Sequence, residues 1–71
     1  MFRYTVVIEK ANGNYSAYCP DLPGCIATGA SVKETVERMK GAIEFHIEGL
    51  KAEGLDVPPP TTIADLVEVS P

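Results

Sequence analysis

With 71 residues, a formal net charge of -4 and 23% charged side chains, the chain has material for one domain, residues 1–71, and too little for two. A chain of this size buries only about 60% of the surface its unfolded form exposes, so some supplement to the core is expected from disulfides, a metal or self-association. The acidic balance argues against unaided nucleic-acid binding, which needs clustered Lys and Arg to neutralise phosphates, and suits a basic partner better.

From Phe2 to Lys10 apolar and β-prone residues run almost unbroken, with Phe2, Tyr4, Val6 and Ile8 on one face. The other face carries Arg3, Thr5, Val7 and Glu9 and is also partly apolar, which predicts an inner strand. Ala11-Asn12-Gly13-Asn14 tolerates positive φ and predicts a tight reversal into a second strand, Tyr15 to Cys19. Pro20, Asp21, Leu22, Pro23 and Gly24 then form a structural turn. Its two prolines remove ladder donors, and Pro23-Gly24 suits the centre of a type II turn. A short third strand is expected from Cys25 to Ala30, with a bulge or bend at Gly29.

Ser31-Val32-Lys33-Glu34 has the form of a capping box, in which the Ser31 side chain accepts from the Glu34 amide and the Glu34 carboxylate reaches back. Val32, Val36, Met39, Ile43, Ile47 and Leu50 continue at spacings of three and four as one apolar stripe, and Gly54 is placed to end the helix. The resulting rod of about 22 residues is roughly 33 Å long. Pro58-Pro59-Pro60 is a stiff connector, and Ile63 to Val69 is expected as a last strand. The fold class is therefore α+β with order βββαβ and one long helix packed on one face of the sheet. A right-handed crossover that returns the last strand beside the first gives sheet order 3-2-1-4.

Of the three supplements, the first two find little support. Cys19 and Cys25 flank a tight turn and are read as free thiols packed at strand ends, in a reducing cytosol, since the first residues read as a strand and not as a signal peptide. Two Cys and the lone His46 give none of the paired spacings of a zinc site, so no metal and no cofactor is expected. No stretch reaches the roughly 20 apolar residues of a membrane helix. Self-association remains, and a homo-oligomer is expected.

The succession of Tyr4, the Asn12-Gly13 hairpin, Tyr15, Pro20-Asp21-Leu22-Pro23-Gly24-Cys25, Gly29, the capping box, Gly54 and Val57-Pro58 covers nearly the whole chain. In that order and at those spacings the sequence resembles the HicB family of antitoxins. The resemblance implies a partial ribonuclease-H-like fold and a partner called HicA, a small basic toxin that cleaves messenger RNA and is blocked when the antitoxin binds it. Many members carry a further DNA-binding segment. This chain stops at Pro71, so direct DNA binding is expected to be absent or supplied by another protein.

Chemistry of the chain's own is not expected. A metal-dependent nuclease would need carboxylates converging on a cation, and nothing fixes the convergence of Glu9, Asp21 and Asp65. A Cys nucleophile would need a base, and His46 sits at the border of the helix stripe, where a half-buried structural histidine is the commoner outcome. Binding surfaces are better supported. Leu22 is expected first as part of the structural turn, with Asp21 accepting amide bonds inside it; its alternative role is a rigid protruding contact. Phe45 lies nearly opposite the stripe between Gly41 and Gly49, a knob beside two hollows and a candidate oligomer contact. Leu66, Val67, Glu68 and Val69 are a candidate edge-strand contact for a toxin or a second copy. The alternative to an antitoxin is a self-assembling regulatory or structural domain of the same fold.

Overall fold

Asn12 and Gly13 close the first hairpin, joining β1 (Val7–Ala11) to β2 (Asn14–Tyr18) in antiparallel register from Val7 opposite Tyr18 to Ala11 opposite Asn14. In the computed structural model, which describes Met1–Pro71, β2 pairs on its other side with β3 (Ile26–Gly29), so the sheet order is β1-β2-β3. β1 starts five residues later than the hydrophobic run does. The physical reason lies in its partner: β2 ends at Tyr18, and the chain turns away at Cys19, leaving nothing for residues 2–6 to pair with on that side.

The helix α1 (Val32–Ala52) follows the expected bounds. Ser31 Oγ accepts from the Glu34 amide at 3.1 Å, and Glu34 Oε1 accepts from the amide of Ala30 at 3.1 Å, one residue before the expected partner. Glu34 also pairs with Arg38 at 3.2 Å, one turn on, and Arg38 donates to the Thr28 carbonyl at 3.0 Å, fastening the first two turns to β3. The other end closes as a Schellman motif, with Gly54 N donating to Lys51 O and Leu55 N to Leu50 O.

The helix packs over β3 and β2, and its buried line is rotated from the apolar stripe. Thr35 and Met39 are buried, whereas Val32 and Val36 are about half exposed. The cause is Gly29. It makes no bulge, since the register runs regularly from Tyr15 opposite Gly29 to Tyr18 opposite Ile26. A Cβ at Gly29 would lie 2.5 Å from Thr35 Oγ1 and 2.8 Å from its backbone N, so the glycine lets helix and strand approach. Thr35 meets the cost of burying its hydroxyl by donating to the Ser31 carbonyl at 2.7 Å.

No fourth strand joins the sheet, and the expected order 3-2-1-4 is replaced by β1-β2-β3. After Leu55 the chain makes no backbone-to-backbone hydrogen bond. Pro58, Pro59 and Pro60 have no amide to give, and the next two amides are taken by a side chain, as described below. The core is correspondingly small, with Ala17, Cys19, Leu22, Cys25 and Met39 at its centre.

Candidate functional site

The segment between β2 and β3 is two successive turns that share Leu22. Leu22 N donates to Cys19 O at 3.1 Å, Cys25 N to Leu22 O at 3.0 Å, and Cys19 N closes the loop onto Cys25 O at 3.1 Å. The second turn has Pro23 and Gly24 at its centre, with Gly24 at φ +83, the left-handed angle that a type II turn requires. Leu22 does not protrude. It is fully buried in the cluster with Cys19, Cys25 and Met39, so the side chain that the alternative of a protruding contact requires is not at the surface. Both thiols are free and buried, as strand-end packing groups. Burial pushes the Cys25 thiol above its ordinary value, with a further contribution from Cys19, which makes Cys25 a poorer nucleophile.

Asp21 serves the last third of the chain and not its own turn. Its Oδ2 accepts from the amides of Thr61 and Thr62, both at 3.1 Å, and its Oδ1 accepts from the Thr61 hydroxyl at 3.1 Å and the Thr62 hydroxyl at 2.8 Å. These bonds, led by the Thr62 amide and then its hydroxyl, hold the Asp21 carboxyl below the usual carboxylate range. Two further bonds reinforce the tether. Tyr4 donates its phenol to the Pro58 carbonyl, and Thr5 donates its hydroxyl to the Thr62 carbonyl at 2.9 Å. Desolvation raises the Tyr4 phenol above its ordinary value, with smaller contributions from the neighbouring Cys19 and Asp21 side chains.

Beyond Thr62 the tether ends. Ile63, Leu66, Val67 and Val69 are 90%, 96%, 83% and 78% exposed, and the one hydrogen bond recorded there is local, from Leu66 N to Asp65 Oδ1 at 2.8 Å. The candidate edge residues Leu66, Val67, Glu68 and Val69 therefore form an extended tail and not a strand of this chain's sheet. The sheet's outer strands are β1 and β3, each with β2 on one side and no strand on the other, and Arg38 already engages the Thr28 carbonyl of β3.

Next to β1 lies a groove of about 880 Å³. Its walls are Met1, Phe2, Tyr4 and Val6 on one side and Val36, Met39, Ile43 and Ile47 of α1 on the other, with Lys40, Glu44 and Lys51 among its polar lining residues. Phe2 and Tyr4 stack edge to face at 5.9 Å and stiffen the first wall. On the outward face of α1, Phe45 is 79% exposed, and the space a side chain would occupy at Gly41 and Gly49 is open. The knob and its two hollows are thus present as surface features.

The three acidic residues considered for metal chemistry are not brought together. Glu9 is exposed on β1 opposite Ser16, Asp21 is engaged by the two threonines, and Asp65 caps its own following amide. No three His, Cys, Asp or Glu residues converge into a group able to hold a metal ion. His46 lies half-buried on the helix. No helix is long and apolar enough to cross a membrane.

What sequence reasoning missed are Thr61 and Thr62 as the partners of Asp21, and the groove itself. The signal for the threonines was a pair of donor-bearing residues directly after three donor-less prolines. The groove had no local signal, because its two walls are some 30 residues apart in sequence.

Comparison with known proteins agrees with this geometry. A family model described as the HicB-like antitoxin of bacterial toxin-antitoxin systems matches residues 4–70. A UPF0150 protein of Synechocystis is 42% identical over 59 residues, covering 82% of this chain and 75% of that protein. An uncharacterized 14.9 kDa protein from the rep-hol intergenic region of Haemophilus phage HP1 is 40% identical over 55 residues, covering 78% of this chain but only 41% of the phage protein. Among solved structures, a chain of the HicA3 and HicB3 toxin-antitoxin complex superposes with a TM-score of 0.72 at 32% identity, covering 83% of this chain and 70% of that one.

Proposed function

The chain belongs to the HicB-like antitoxin family, and we propose that it binds and occludes a small basic toxin of the HicA type, preventing that toxin from cleaving messenger RNA. The observation that carries the reading is the likeness, in both fold and sequence, to a chain of a toxin-antitoxin complex. Physical chemistry supports it. A net charge of -4 draws a basic partner and speeds the encounter. The chain's remaining surfaces, a free sheet edge, an apolar groove and a projecting tail, are of the kinds that dock onto proteins. Occlusion needs no chemistry from the antitoxin itself, in keeping with a non-catalytic role, and an acidic domain leaves DNA to another segment or another protein. Action in the cytoplasm, where messenger RNA is translated, belongs to the same proposal.

Co-expression with a small basic toxin of the HicA type, taken from a reading frame beside the gene if one is found there, tests the reading. The two chains are expected to co-purify at fixed stoichiometry, and a toxin that elutes alone would overturn it. The second reading, a self-assembling regulatory domain, is favoured by the exposed Phe45 with open space over Gly41 and Gly49. Phe45→Glu examined by sedimentation is expected to lower the oligomer mass; an unchanged mass removes that face as a self-contact.

A further inference from the structure

We propose that Cys19 and Cys25 are a redox pair, which a peroxide converts, within one chain, into a disulfide that staples the two ends of the double turn.

Register brings the two residues together. The ladder between β2 and β3 runs from Tyr15 opposite Gly29 to Tyr18 opposite Ile26, and one step further along it Cys19 stands opposite Cys25, with Cys19 N donating to Cys25 O at 3.1 Å. Residues opposed at a hydrogen-bonded position of an antiparallel pair have Cα atoms about 5.5 Å apart, inside the roughly 4.4–6.8 Å that a disulfide spans. The second bond of such a pair is not made here, because Cys25 N donates to Leu22 O and Cys19 O accepts from Leu22 N. One bond in place of two leaves the strand ends freer to draw their Cβ atoms together.

Orientation agrees with register. Tyr18 and Ile26, the preceding pair, are exposed on the face turned away from α1. By the alternation of a strand, Cys19 and Cys25 point the other way, and both join the buried cluster with Leu22 and Met39. After desolvation, Cys19 is the second cause that raises the Cys25 thiol, as a close neighbour does. Small apolar side chains would fill this corner as well as two thiols do, but only thiols can be joined across it.

The oxidant is a peroxide because the two residues are only 2% and 4% exposed, which favours a small reagent. One sulfur, as thiolate, attacks a peroxide oxygen; the O–O bond breaks, and the departing hydroxide takes up the thiol's proton as water. The other sulfur then attacks the sulfenic acid so formed, the S–O bond breaks, the S–S bond forms, and the second thiol's proton leaves with the oxygen as a second water. Two electrons pass from the sulfurs to the peroxide, so two thiols and one hydrogen peroxide give one disulfide and two waters. Burial slows the first step, while the partner already opposite favours the second over further oxidation.

The product closes a ring over residues 19–25, which contains both Leu22 and Asp21. Three backbone bonds already hold that loop in its closed shape, so the bridge constrains the unfolded chain far more than the folded one. The folding equilibrium is expected to shift roughly 10–100-fold toward the native state on oxidation. In a chain whose core centres on five buried residues, such a shift sets how long the fold persists.

The test uses the full reduced chain, without any toxin, exposed to hydrogen peroxide in native buffer. Trypsin releases Ala11–Lys33, a peptide that holds both cysteines and neither methionine, so methionine oxidation does not disturb its mass. That peptide is expected to lose two hydrogens, at a rate independent of protein concentration, and to regain them with dithiothreitol. In Cys19→Ala it is expected to gain oxygen and lose no hydrogens. The oxidised wild type is expected to have a higher urea midpoint than the reduced protein, with an unchanged far-UV circular dichroism spectrum. A wild-type peptide that only gains oxygen, that stays reduced under millimolar peroxide, or that is recovered joined to a second copy overturns the proposal. So does an oxidised form whose urea midpoint is unchanged or lower.

Discussion

Leu22 is the residue on which the small core turns, since it is fully buried and its backbone belongs to both turns of the loop. Leu22→Ala is expected to cost about 2–5 kcal/mol, measurable as a lower urea midpoint. Gly29→Ala places a methyl 2.5 Å from Thr35 Oγ1 and 2.8 Å from its amide nitrogen. Because one of those atoms is backbone, the helix must shift, at an expected cost of about 1–3 kcal/mol that Thr35→Ser does not rescue. Asp21 gives the fold a pH dependence. Its folded pKa lies below its unfolded one, so the tether is fully present above the ordinary carboxylate value and is lost as pH falls through the folded value. The amide resonances of Thr61 and Thr62 are expected to titrate together in that acidic window and to show no such titration in Asp21→Asn. The raised Cys25 pKa and its burial predict slow reaction with a thiol reagent in the native protein and rapid reaction in denaturant.

At the scale of elements, the parts set by local chemistry were legible and the parts set by distant partners were not. The hairpin at Asn12-Gly13, the turn at Pro23-Gly24 and both helix ends depend on a few adjacent residues, and each forms where its residues predict. The apolar stripe located α1 correctly but misjudged its rotation. Periodicity weighs Val32 and Val36 above Thr35 and cannot see that a glycine 6 residues away makes room for the threonine. The last strand failed for a similar reason. Ile63 to Val69 has the alternation of a strand, but alternation does not state which sheet a strand joins. Asp21 was expected to serve its own turn, and only the folded chain brings it to threonines 40 residues away. The candidate contacts fared unevenly for the same cause. Phe45 is exposed because its helix faces outward there, whereas Leu22, expected first as part of the structural turn and only alternatively as a protruding contact, is hidden by that turn.

For the molecule as a whole, the division of labour is between a tight half and an unsatisfied half. The sheet, the double turn and α1 satisfy one another, while the outer edge of β1, the groove and the tail beyond Thr62 are left uncovered. Its family places it among antitoxins, and under the proposed function such a molecule works by what it covers. The most direct measurement is a titration of a HicA-type toxin's RNA cleavage with the purified chain. Cleavage is expected to fall linearly to zero at a fixed molar ratio, with the chain alone leaving the same RNA intact. Undiminished cleavage at a tenfold excess of the chain, or cleavage by the chain itself, would contradict the account.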